Sequence, residues 1–287
     1  MSVLYTPKGR AREYAPLAVN LYSGCSHSCR YCYVPTIPPW KFSKTARHDF
    51  HTTPKPRNNV LAQLKKDCES RPGHGERVML CFTTDPYQPI NDEFNLTRGA
   101  IQTLHQFGYN VQILTKGGRR ALKDIDLFSS GDAFATTMTL LSDEHSRKWE
   151  PGAALPQERI DTIRQFYDAG VSTWISLEPV LNPESALEII RITSGFTHLY
   201  KIGKLNHHSL ADRFDWSDFG LRAIRLCESL KQPYYIKDDL ALHLPSGALG
   251  PHHITVEELE RHISVLAPCQ YIDEPHAHRQ LPLFQSQ

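Results

Sequence analysis

Cys25, Cys29 and Cys32 lie within one short stretch, GCSHSCRYCY at residues 24–33, with the spacing Cys-x3-Cys-x2-Cys. Iron–sulfur clusters are held by cysteine thiolates, and a four-iron cluster held by three thiolates keeps one iron without a protein ligand. Such an open iron can take up a small chelating molecule. The spacing therefore predicts a [4Fe–4S] cluster bound by these three cysteines, with one coordination position left for chemistry.

A structural zinc site is the alternative interpretation of clustered cysteines. Zinc in such sites prefers four protein ligands in a tetrahedron, usually as two pairs that are each close in sequence. The remaining cysteines do not supply a second pair, because they are scattered singly: Cys68, Cys81, Cys227 and Cys269. A second metal at the adjacent His207 and His208 is also disfavoured, since neighbouring loop histidines usually face different ways.

The chain has the composition of an ordinary globular protein. Its 287 residues suffice for one large domain or two small ones, with 40% hydrophobic and 22% charged residues. No apolar run resembles a signal sequence or approaches the length of a membrane span. Seven cysteines, three of them in one loop, argue against a disulfide framework. These features predict a cytoplasmic protein that does not enter a membrane.

Alternating strands and helices must position the cysteine loop. Strands are predicted at residues 17–22, 77–83, 109–115, 133–140, 171–177, 197–202 and 234–237. Helices are predicted at residues 58–69, 97–107, 121–128, 156–167, 183–191 and 219–230. Strands that alternate with helices form parallel sheets. The pattern predicts an α/β fold, a partial parallel (β/α)6 barrel over residues 1–245, with a short helical C-terminal extension over 246–287 that contains a helix at 256–265 and a tail from 274.

Several motifs of this predicted barrel resemble one enzyme family. They are CRYCY at 29–33, TDPYQP at 84–89, LTR at 96–98, ILTK at 113–116 and WEP at 149–151. Together they resemble the spore photoproduct lyase-like branch of the radical S-adenosylmethionine (SAM) superfamily, over about residues 16–200. The resemblance implies a partial barrel of radical SAM type. It also implies that SAM binds the open iron and is cleaved reductively to methionine and a 5′-deoxyadenosyl radical, which abstracts a hydrogen atom.

The resemblance assigns the SAM site residue by residue. Tyr31 is expected near the SAM adenine, and Lys116 and Thr137 match polar positions that contact SAM in the lyase. Thr83, Thr84 and Asp85 occupy the place of a Gly-Gly-Glu segment that holds the SAM amino group in many members. Two alternatives stay open, since Asp85 precedes a proline and is equally a turn residue, and Lys116 is equally a solvated lysine at a strand end.

Two residues are predicted to handle the substrate radical. Tyr33 matches a tyrosine that helps to relay a hydrogen atom in the lyase. The lyase also uses a cysteine hydrogen donor three residues before its aspartate, whereas Cys81 lies four residues before Asp85 and Phe82 occupies the matching place. A one-residue offset in a strand turns the side chain to the opposite face. Cys81 is therefore a candidate donor whose alternative is a small buried core residue, and this departure separates the chain from the lyase.

Basic loops follow three of the predicted strands. Parallel barrels carry their active sites at the C-terminal ends of the strands, so loop charge there reports on the substrate. The basic residues are Lys41, Lys44, Arg47, Lys55, Arg57, Lys116, Arg119, Arg120, Lys204, His207 and His208. This asymmetry, in a chain of net charge +1, predicts binding of DNA or RNA, with Tyr33, Trp40 and Phe42 available to stack on a base. Solvated loops without a partner are the alternative.

The C-terminal tail contains a short peptide motif. Its sequence QLPLF includes Gln280, Leu281, Leu283 and Phe284, and it resembles the peptide with which bacterial replication and repair proteins dock on the sliding clamp. Such a segment fills an apolar groove with its leucine and phenylalanine side chains. The motif predicts a sliding clamp as a partner, with a chance match or packing on the protein's own barrel as alternatives.

The sequence as a whole predicts a radical SAM enzyme that repairs or modifies a DNA or RNA base. Its cofactors would be one [4Fe–4S] cluster and SAM, and its electron donor a flavodoxin or a ferredoxin. One alternative is a radical SAM enzyme that acts on a peptide or small metabolite. The other is a noncatalytic iron–sulfur module that binds nucleic acid.

Overall fold

The computed structural model describes residues 2–206, 208–256 and 258 of the chain. The strands are β1 (Leu17–Val19), β2 (Tyr22–Ser23), β3 (Lys55–Pro56), β4 (Arg77–Leu80), β5 (Asn110–Thr115), β6 (Ala133–Thr137), β7 (Ser172–Leu177), β8 (Leu199–Ile202) and β9 (Tyr234–Ile236). The α-helices are α1 (Ala46–Thr52), α2 (Val60–Ser70), α3 (Asn91–Phe94), α4 (Leu96–Gln106), α5 (Asp143–Trp149), α6 (Pro156–Asp168), α7 (Pro183–Thr193), α8 (Trp216–Ser229) and α9 (Asp238–Ala241).

One parallel sheet forms the centre of the molecule. Seven strands follow one another in the order β1-β4-β5-β6-β7-β8-β9, and every neighbouring pair is parallel. Because spatial order follows chain order, each crossover runs in the same direction and leaves its helix on the same side of the sheet. β1 and β9 form the two edges. The predicted α/β fold and partial parallel barrel are confirmed, with the short strand predicted at 234–237 as the seventh strand.

Alternate residues of the strands face two different cores. On β4, Val78 and Leu80 belong to the large apolar cluster that also includes residues of the helices, whereas Met79 belongs to a smaller cluster. The smaller cluster contains Ala18, Ala135 and Trp174 from three other strands of the sheet. This alternation is the period of two that a strand imposes on its side chains. The helices therefore cover one face of the sheet. The other face carries the smaller apolar cluster.

The first predicted strand is split in two. The segment expected as one strand at residues 17–22 contains β1 and, after a break at Asn20, β2, which pairs antiparallel with β3. The Asn20 side-chain carbonyl accepts the backbone N–H groups of Phe82 and Thr83, each at 2.9 Å. This side chain thus fixes the loop that follows β4 against the end of β1, at the point where the predicted strand is interrupted.

The segment predicted as a helix at 121–128 is a long 3₁₀ helix, Gly118–Leu127. Gly118 has φ of +57°, a left-handed conformation that suits glycine. Arg98 donates to the Lys123 carbonyl at 3.2 Å and to the Asp124 and Asp126 carboxylates at 3.2 and 2.9 Å. Tertiary hydrogen bonds therefore satisfy polar groups of this segment and support its tighter winding.

The C-terminal part of the chain is described as far as its return to the sheet. The Ile254 N–H donates to the Tyr234 carbonyl of β9 at 2.8 Å, and His253 bridges the same residue. The predicted helix 256–265, the tail from 274 and the clamp motif lie outside the described residues, apart from Val256 and Glu258. The boundary between the barrel and the C-terminal extension, placed between residues 245 and 246, stays a prediction. Within the described residues, no helix has the length and apolar character needed to span a membrane.

Candidate active site

The three cysteines line one cavity of about 630 Å³ at the C-terminal ends of the sheet strands. Backbone hydrogen bonds fix their loop to neighbouring segments: the Cys25 N–H donates to the Phe50 carbonyl at 2.9 Å, and the Arg30 N–H to the Trp149 carbonyl at 2.8 Å. Gly24 has φ of +88°, and a Cβ at this position would lie 2.7 Å from the Phe50 carbonyl oxygen. Glycine is therefore required where the chain enters the cysteine loop.

Burial keeps the cysteine thiols protonated while no cation is bound. It raises the pKa of Cys29 to about 12 and also raises the pKa values of Cys25 and Cys32. Lys116 acts in the opposite direction on Cys29 and Cys32. Metal ligation deprotonates thiols because the cation stabilises the thiolate. The loop thus presents three cysteines, predicted as cluster ligands, whose ionisation would follow the binding of a metal.

The donor set fits an iron–sulfur cluster better than a single ion. Across residues 2–206, 208–256 and 258, no group of three histidine, cysteine or acidic side chains is arranged to hold one metal ion. Each cysteine of a four-iron cluster binds a different iron, so its ligands need not meet at one point. His27 adds a second observation, because its buried Nε2 atom has no hydrogen-bond partner in the described protein. A cofactor beside the loop would supply that partner.

All residues that the sequence assigned to the site line this cavity. Beside the cysteines they are Tyr31, Tyr33, Cys81, Thr83, Thr84, Asp85, Lys116 and Thr137. They come from the cysteine loop and from the ends of β4, β5 and β6, which the parallel sheet brings to one edge. Their proximity is a property of the fold, and their individual roles stay predictions.

Asp85 is buried and saturated with hydrogen bonds. Its carboxylate accepts the Tyr87 and Lys116 backbone N–H groups at 2.8 Å each and the Thr115 hydroxyl at 2.6 Å, and His27 Nδ1 lies 3.3 Å away. Burial alone would raise the pKa of Asp85, but His27 and these hydrogen bonds bring it well below its usual value. Asp85 therefore ties β5 to the cysteine loop through His27, and both of its oxygens already have partners.

A buried ion pair supports Tyr31. The Tyr31 hydroxyl donates to the Glu150 carboxylate, whose other oxygen lies 2.5 Å from the Arg159 guanidinium. Both charged side chains are about 1% exposed. Burial raises the pKa of Tyr31 well above its usual range, so the hydroxyl stays a donor. Lys116 Nζ lies 5.8 Å from the centre of the Tyr31 ring, which places one cation over its face.

Cys81 lies between the cavity and the core. It follows Leu80, the last residue of β4, and it lines the cavity together with Phe82. The Cys81 side chain is 5% exposed and belongs to the large apolar cluster, in agreement with the alternative of a small buried core residue. Burial raises the pKa of Cys81 to about 12, which keeps it a neutral thiol. Its role as a hydrogen donor stays a prediction.

The basic loops differ in how much of their charge is free. Arg119, Arg120 and Lys123, which follow β5, lie beside the carboxylates of Glu158 and Asp92. Lys41, Lys44 and Phe42 are exposed, and Phe42 is the most accessible aromatic side chain among the described residues, at 77%. Tyr33 is 48% exposed, but Trp40 packs edge-on against Phe50 at 5.2 Å. The loop at 40–47 therefore keeps its exposed cations, whereas the loop after β5 is largely neutralised.

The adjacent histidines at which the sequence disfavours a second metal are only partly described. The His208 Nδ1 accepts the Leu210 N–H at 3.1 Å, and its ring packs edge-on against Trp149. His207 lies outside the described residues.

Sequence reasoning missed the opposite wall of the cavity. Tyr14, Ser176, Glu178 and Lys237 line it, together with Asn206. Lys237 forms ion pairs with Glu178 and with Glu13, the latter at 3.2 Å. These residues stand far apart along the chain and form no motif. A sequence signal was available only for Glu178 and Lys237. Glu178 directly follows the strand predicted at 171–177, and Lys237 ends the strand predicted at 234–237.

Comparison with known proteins gives a family model and several relatives. The model of the radical SAM superfamily matches residues 19–193. The uncharacterized protein Rv2578c of Mycobacterium tuberculosis is 32% identical over 169 residues, which cover 57% of this chain and 49% of the relative. The uncharacterized protein MJ0683 of Methanocaldococcus jannaschii is 26% identical over 196 residues, 67% of this chain and 71% of the relative. The chain thus spans about half the length of the mycobacterial relative.

Two solved structures share the fold. Spore photoproduct lyase with bound AdoMet and dinucleoside spore photoproduct superposes with a TM-score of 0.60 at 14% identity, over 82% of this chain and 78% of the lyase. SuiB of Streptococcus suis bound to S-adenosylmethionine gives a TM-score of 0.50 at 11% identity, over 75% of this chain and 46% of SuiB. Members of the matched superfamily use a [4Fe–4S] cluster and SAM. Because the family model covers more than half of the sequence, the chain belongs to the radical SAM superfamily.

Proposed function

We propose that this protein cleaves SAM reductively and uses the resulting 5′-deoxyadenosyl radical to repair or modify a base in DNA or RNA. One observation carries the proposal: the three cysteines share a cavity with every residue to which the sequence assigned a part in SAM or radical chemistry. A bound [4Fe–4S] cluster would supply the electron and the coordination site for SAM. The protein's own residues would hold the cofactors, shield the radical from water and present the substrate.

Residues of the cysteine wall, which we define as Cys25, Cys29, Cys32 and Tyr31, would hold the cluster and the adenine. Thr83 and the segment after β4 would receive the SAM amino group. Asp85 would act indirectly, because its oxygens are already occupied by Tyr87, Thr115, Lys116 and His27. Its hydrogen bonds instead keep the Lys116 backbone and the cysteine loop in register. Lys116 and Thr137 at the ends of β5 and β6 would contact the remainder of SAM.

Cys81 and Tyr33 would return a hydrogen atom to the substrate radical. Both line the cavity, Cys81 buried and Tyr33 half exposed at 48%. A buried neutral thiol suits this step, since the hydrogen atom leaves with its electron and no charge forms in the cavity. Cleavage of the spore photoproduct itself is one form of this proposal, supported by the fold that the chain shares with the lyase.

Binding of a nucleic acid is supported by the exposed loop at residues 40–47. Lys41 and Lys44 are exposed there, and the Phe42 ring, with the Lys41 ammonium group 5.0 Å from its centre, is 77% exposed and accessible to a base. Exposed lysines attract phosphates through counterion release, so the affinity should fall with salt. A flavodoxin or ferredoxin would supply electrons. Docking on a sliding clamp through Gln280, Leu281, Leu283 and Phe284 rests on the sequence alone.

The proposal is tested by anaerobic reconstitution with iron and sulfide, followed by reduction and measurement of 5′-deoxyadenosine from SAM. We expect formation that increases when DNA or RNA is present and falls as salt is added. Lys41→Ala/Lys44→Ala should weaken this stimulation, whereas the matched pair Lys65→Ala/Lys66→Ala, on the exposed face of α2, should not. Absence of 5′-deoxyadenosine from a protein that holds a reducible cluster would contradict the catalytic proposal. Formation that neither polymer changes would favour a peptide or small metabolite.

A further inference from the structure

The wall opposite the cysteines carries a group of polar side chains. Binding of an iron–sulfur cluster and of SAM does not explain this group. We define this ion-pair wall as Tyr14, Glu178 and Lys237, with Glu13 behind it. Glu178 follows β7 directly and Lys237 follows β9, while Tyr14 comes from the N-terminal segment. Tyr14, Glu178 and Lys237 line the cavity. Ionisable groups gathered from distant positions at the mouth of a parallel barrel are typical of a substrate site.

Lys237 is held by partners on this wall. Its ammonium group donates hydrogen bonds to the Glu178 carboxylate and, at 3.2 Å, to the Tyr14 hydroxyl. Glu13 Oε2 lies 3.2 Å from the same ammonium group and forms an ion pair with it. The Lys237 side chain is about 4% exposed, so water does not compete for it. Its function is to hold Glu178 in place.

Glu178 keeps one acceptor atom free. Its Oε2 accepts the Tyr14 hydroxyl at 2.8 Å and the Lys237 ammonium group. Its Oε1 accepts no hydrogen bond from the residues that the structure describes, and the side chain is 19% exposed where it lines the cavity. Gly203 leaves the space for this carboxylate, since a Cβ there would lie 3.0 Å from Cδ and 3.2 Å from Oε1. The wall thus offers a ligand a single fixed acceptor.

The surroundings of Glu178 indicate what kind of donor fits. The rings of Tyr14 and Phe82 lie 5.9 Å apart, edge to face, and Leu114 also lines this part of the cavity. Lys8 and Lys204 contribute cationic groups to the same lining. Aromatic walls suit a flat ring, and lysines suit phosphate. These lysines would repel a cationic side chain, so a peptide lysine fits this site less well than a nucleotide.

We propose that Glu178 is the specificity residue of this site and that its free Oε1 accepts a hydrogen bond from an N–H group on the edge of the substrate base, with phosphate near Lys8 and Lys204. This inference rests on the proposed action on nucleic acid and adds the group that selects the base. A base without that N–H would leave a buried carboxylate oxygen unsatisfied, which carries a large penalty.

Glu178→Gln inverts the hydrogen bonding of this position. Tyr14 and Lys237 both donate to the side chain, so the amide oxygen must take the Oε2 place. The amide NH2 then replaces Oε1, and an acceptor becomes a donor. We would measure binding of single-stranded oligonucleotides of dT, dC and dA to the reconstituted enzyme with SAM. Each would be compared with a counterpart whose base N–H is methylated.

For the wild type, at least one strand should bind about tenfold more tightly than its methylated counterpart. Glu178→Gln should reduce that ratio to less than about twofold, and Glu188→Gln, an exposed carboxylate of α7, should preserve it. Strands that bind without discrimination, or a ratio that Glu178→Gln leaves intact, would overturn the role of Glu178 while the proposed function stands. Failure of all strands to bind, or their displacement by a lysine-containing peptide, would overturn both.

Discussion

The two walls of the cavity are built in opposite ways. The cysteine wall comes from one continuous loop, and burial keeps its thiols protonated until a cation binds. The ion-pair wall brings together residues more than two hundred positions apart, and Lys237 is already neutralised by Glu13 and Glu178. The first wall depends on a bound cation for its ionisation, and the second is complete except for one oxygen. Under the proposed function, this difference makes cofactor binding local, whereas substrate recognition depends on the whole fold.

The strongest test removes one cysteine from the cysteine wall. Cys25→Ala should lose most of the bound iron and reduce SAM cleavage by more than about 100-fold. Loss of a residue that only hydrogen-bonds a metal ligand typically costs about 10–100-fold, and loss of a ligand itself should cost more. Iron and sulfide analysis and 5′-deoxyadenosine formation measure the result. Cys227→Ala, in the buried face of α8, should keep its iron and lose only about 1 kcal/mol of stability. Equal iron loss in both variants would contradict the local character of the cysteine wall.

The next test concerns the buried ion pair that supports Tyr31. Glu150→Gln leaves the Arg159 cation without its countercharge where both side chains are about 1% exposed. We expect the free energy of unfolding to fall by about 3 kcal/mol. Urea unfolding of the iron-free protein measures this loss. Glu188→Gln, an exposed glutamate paired with Arg191, serves as the matched control and should change it by less than about 0.5 kcal/mol. A loss in Glu150→Gln no larger than in the control would remove the claim that this pair holds the loop.

Lys237→Met probes the ion-pair wall in the same way. It leaves the Glu13 and Glu178 carboxylates without their shared cation. We expect a loss of about 2 kcal/mol, smaller than for Glu150→Gln because Glu178 is 19% exposed and gains hydration from the cavity. Lys66→Met on α2 is the control, since Lys66 is exposed. A larger loss in the free energy of unfolding than in Glu150→Gln would contradict the expectation that the pair of Glu150 and Arg159 is the more costly of the two to break.

The last test follows stability across pH, and its effect within any one pH unit is the smallest of these tests. Lys201 is fully buried behind Tyr14, and burial lowers its pKa to about 7, against about 10.4 in the unfolded chain. Between these values the unfolded chain binds more protons, so Lys201 makes the free energy of unfolding rise with pH, by at most about 1.4 kcal/mol per pH unit. Below about pH 7 its contribution is constant.

Lys201→Met should remove this dependence. The free energy of unfolding of the wild type minus that of the variant is expected to rise from about pH 7 to pH 10 and to stay flat below pH 7. Urea unfolding at a series of pH values measures it. A difference that is flat throughout would mean that Lys201 carries the same charge in the folded and unfolded states.

Sequence reasoning succeeded where a pattern is local. The thiolate spacing, the alternation of strands with helices and the motifs at 84–89 and 113–116 each lie within a few residues, so periodicity and chemistry are readable directly. It failed where a strand was predicted too long. The strand expected at residues 77–83 ends at Leu80, and the Asn20 side chain at the end of β1 accepts the backbone N–H groups of Phe82 and Thr83. No local signal of the β4 segment reports on a side chain that comes from the end of β1.

The sequence by itself determined the superfamily, the loop of three cysteines proposed to hold the cluster and the parallel sheet, because each depends on residue types at short spacing. Only the tertiary structure decided the opposite wall, the buried pair of Glu150 and Arg159, and the saturation of Asp85. The physical reason is that buried charges require partners wherever the fold supplies them. Tyr14, Glu178 and Lys237 meet in the folded chain. The ends of predicted strands mark Glu178 and Lys237 along the sequence, but no local motif shows that these two residues pair with each other or with Tyr14.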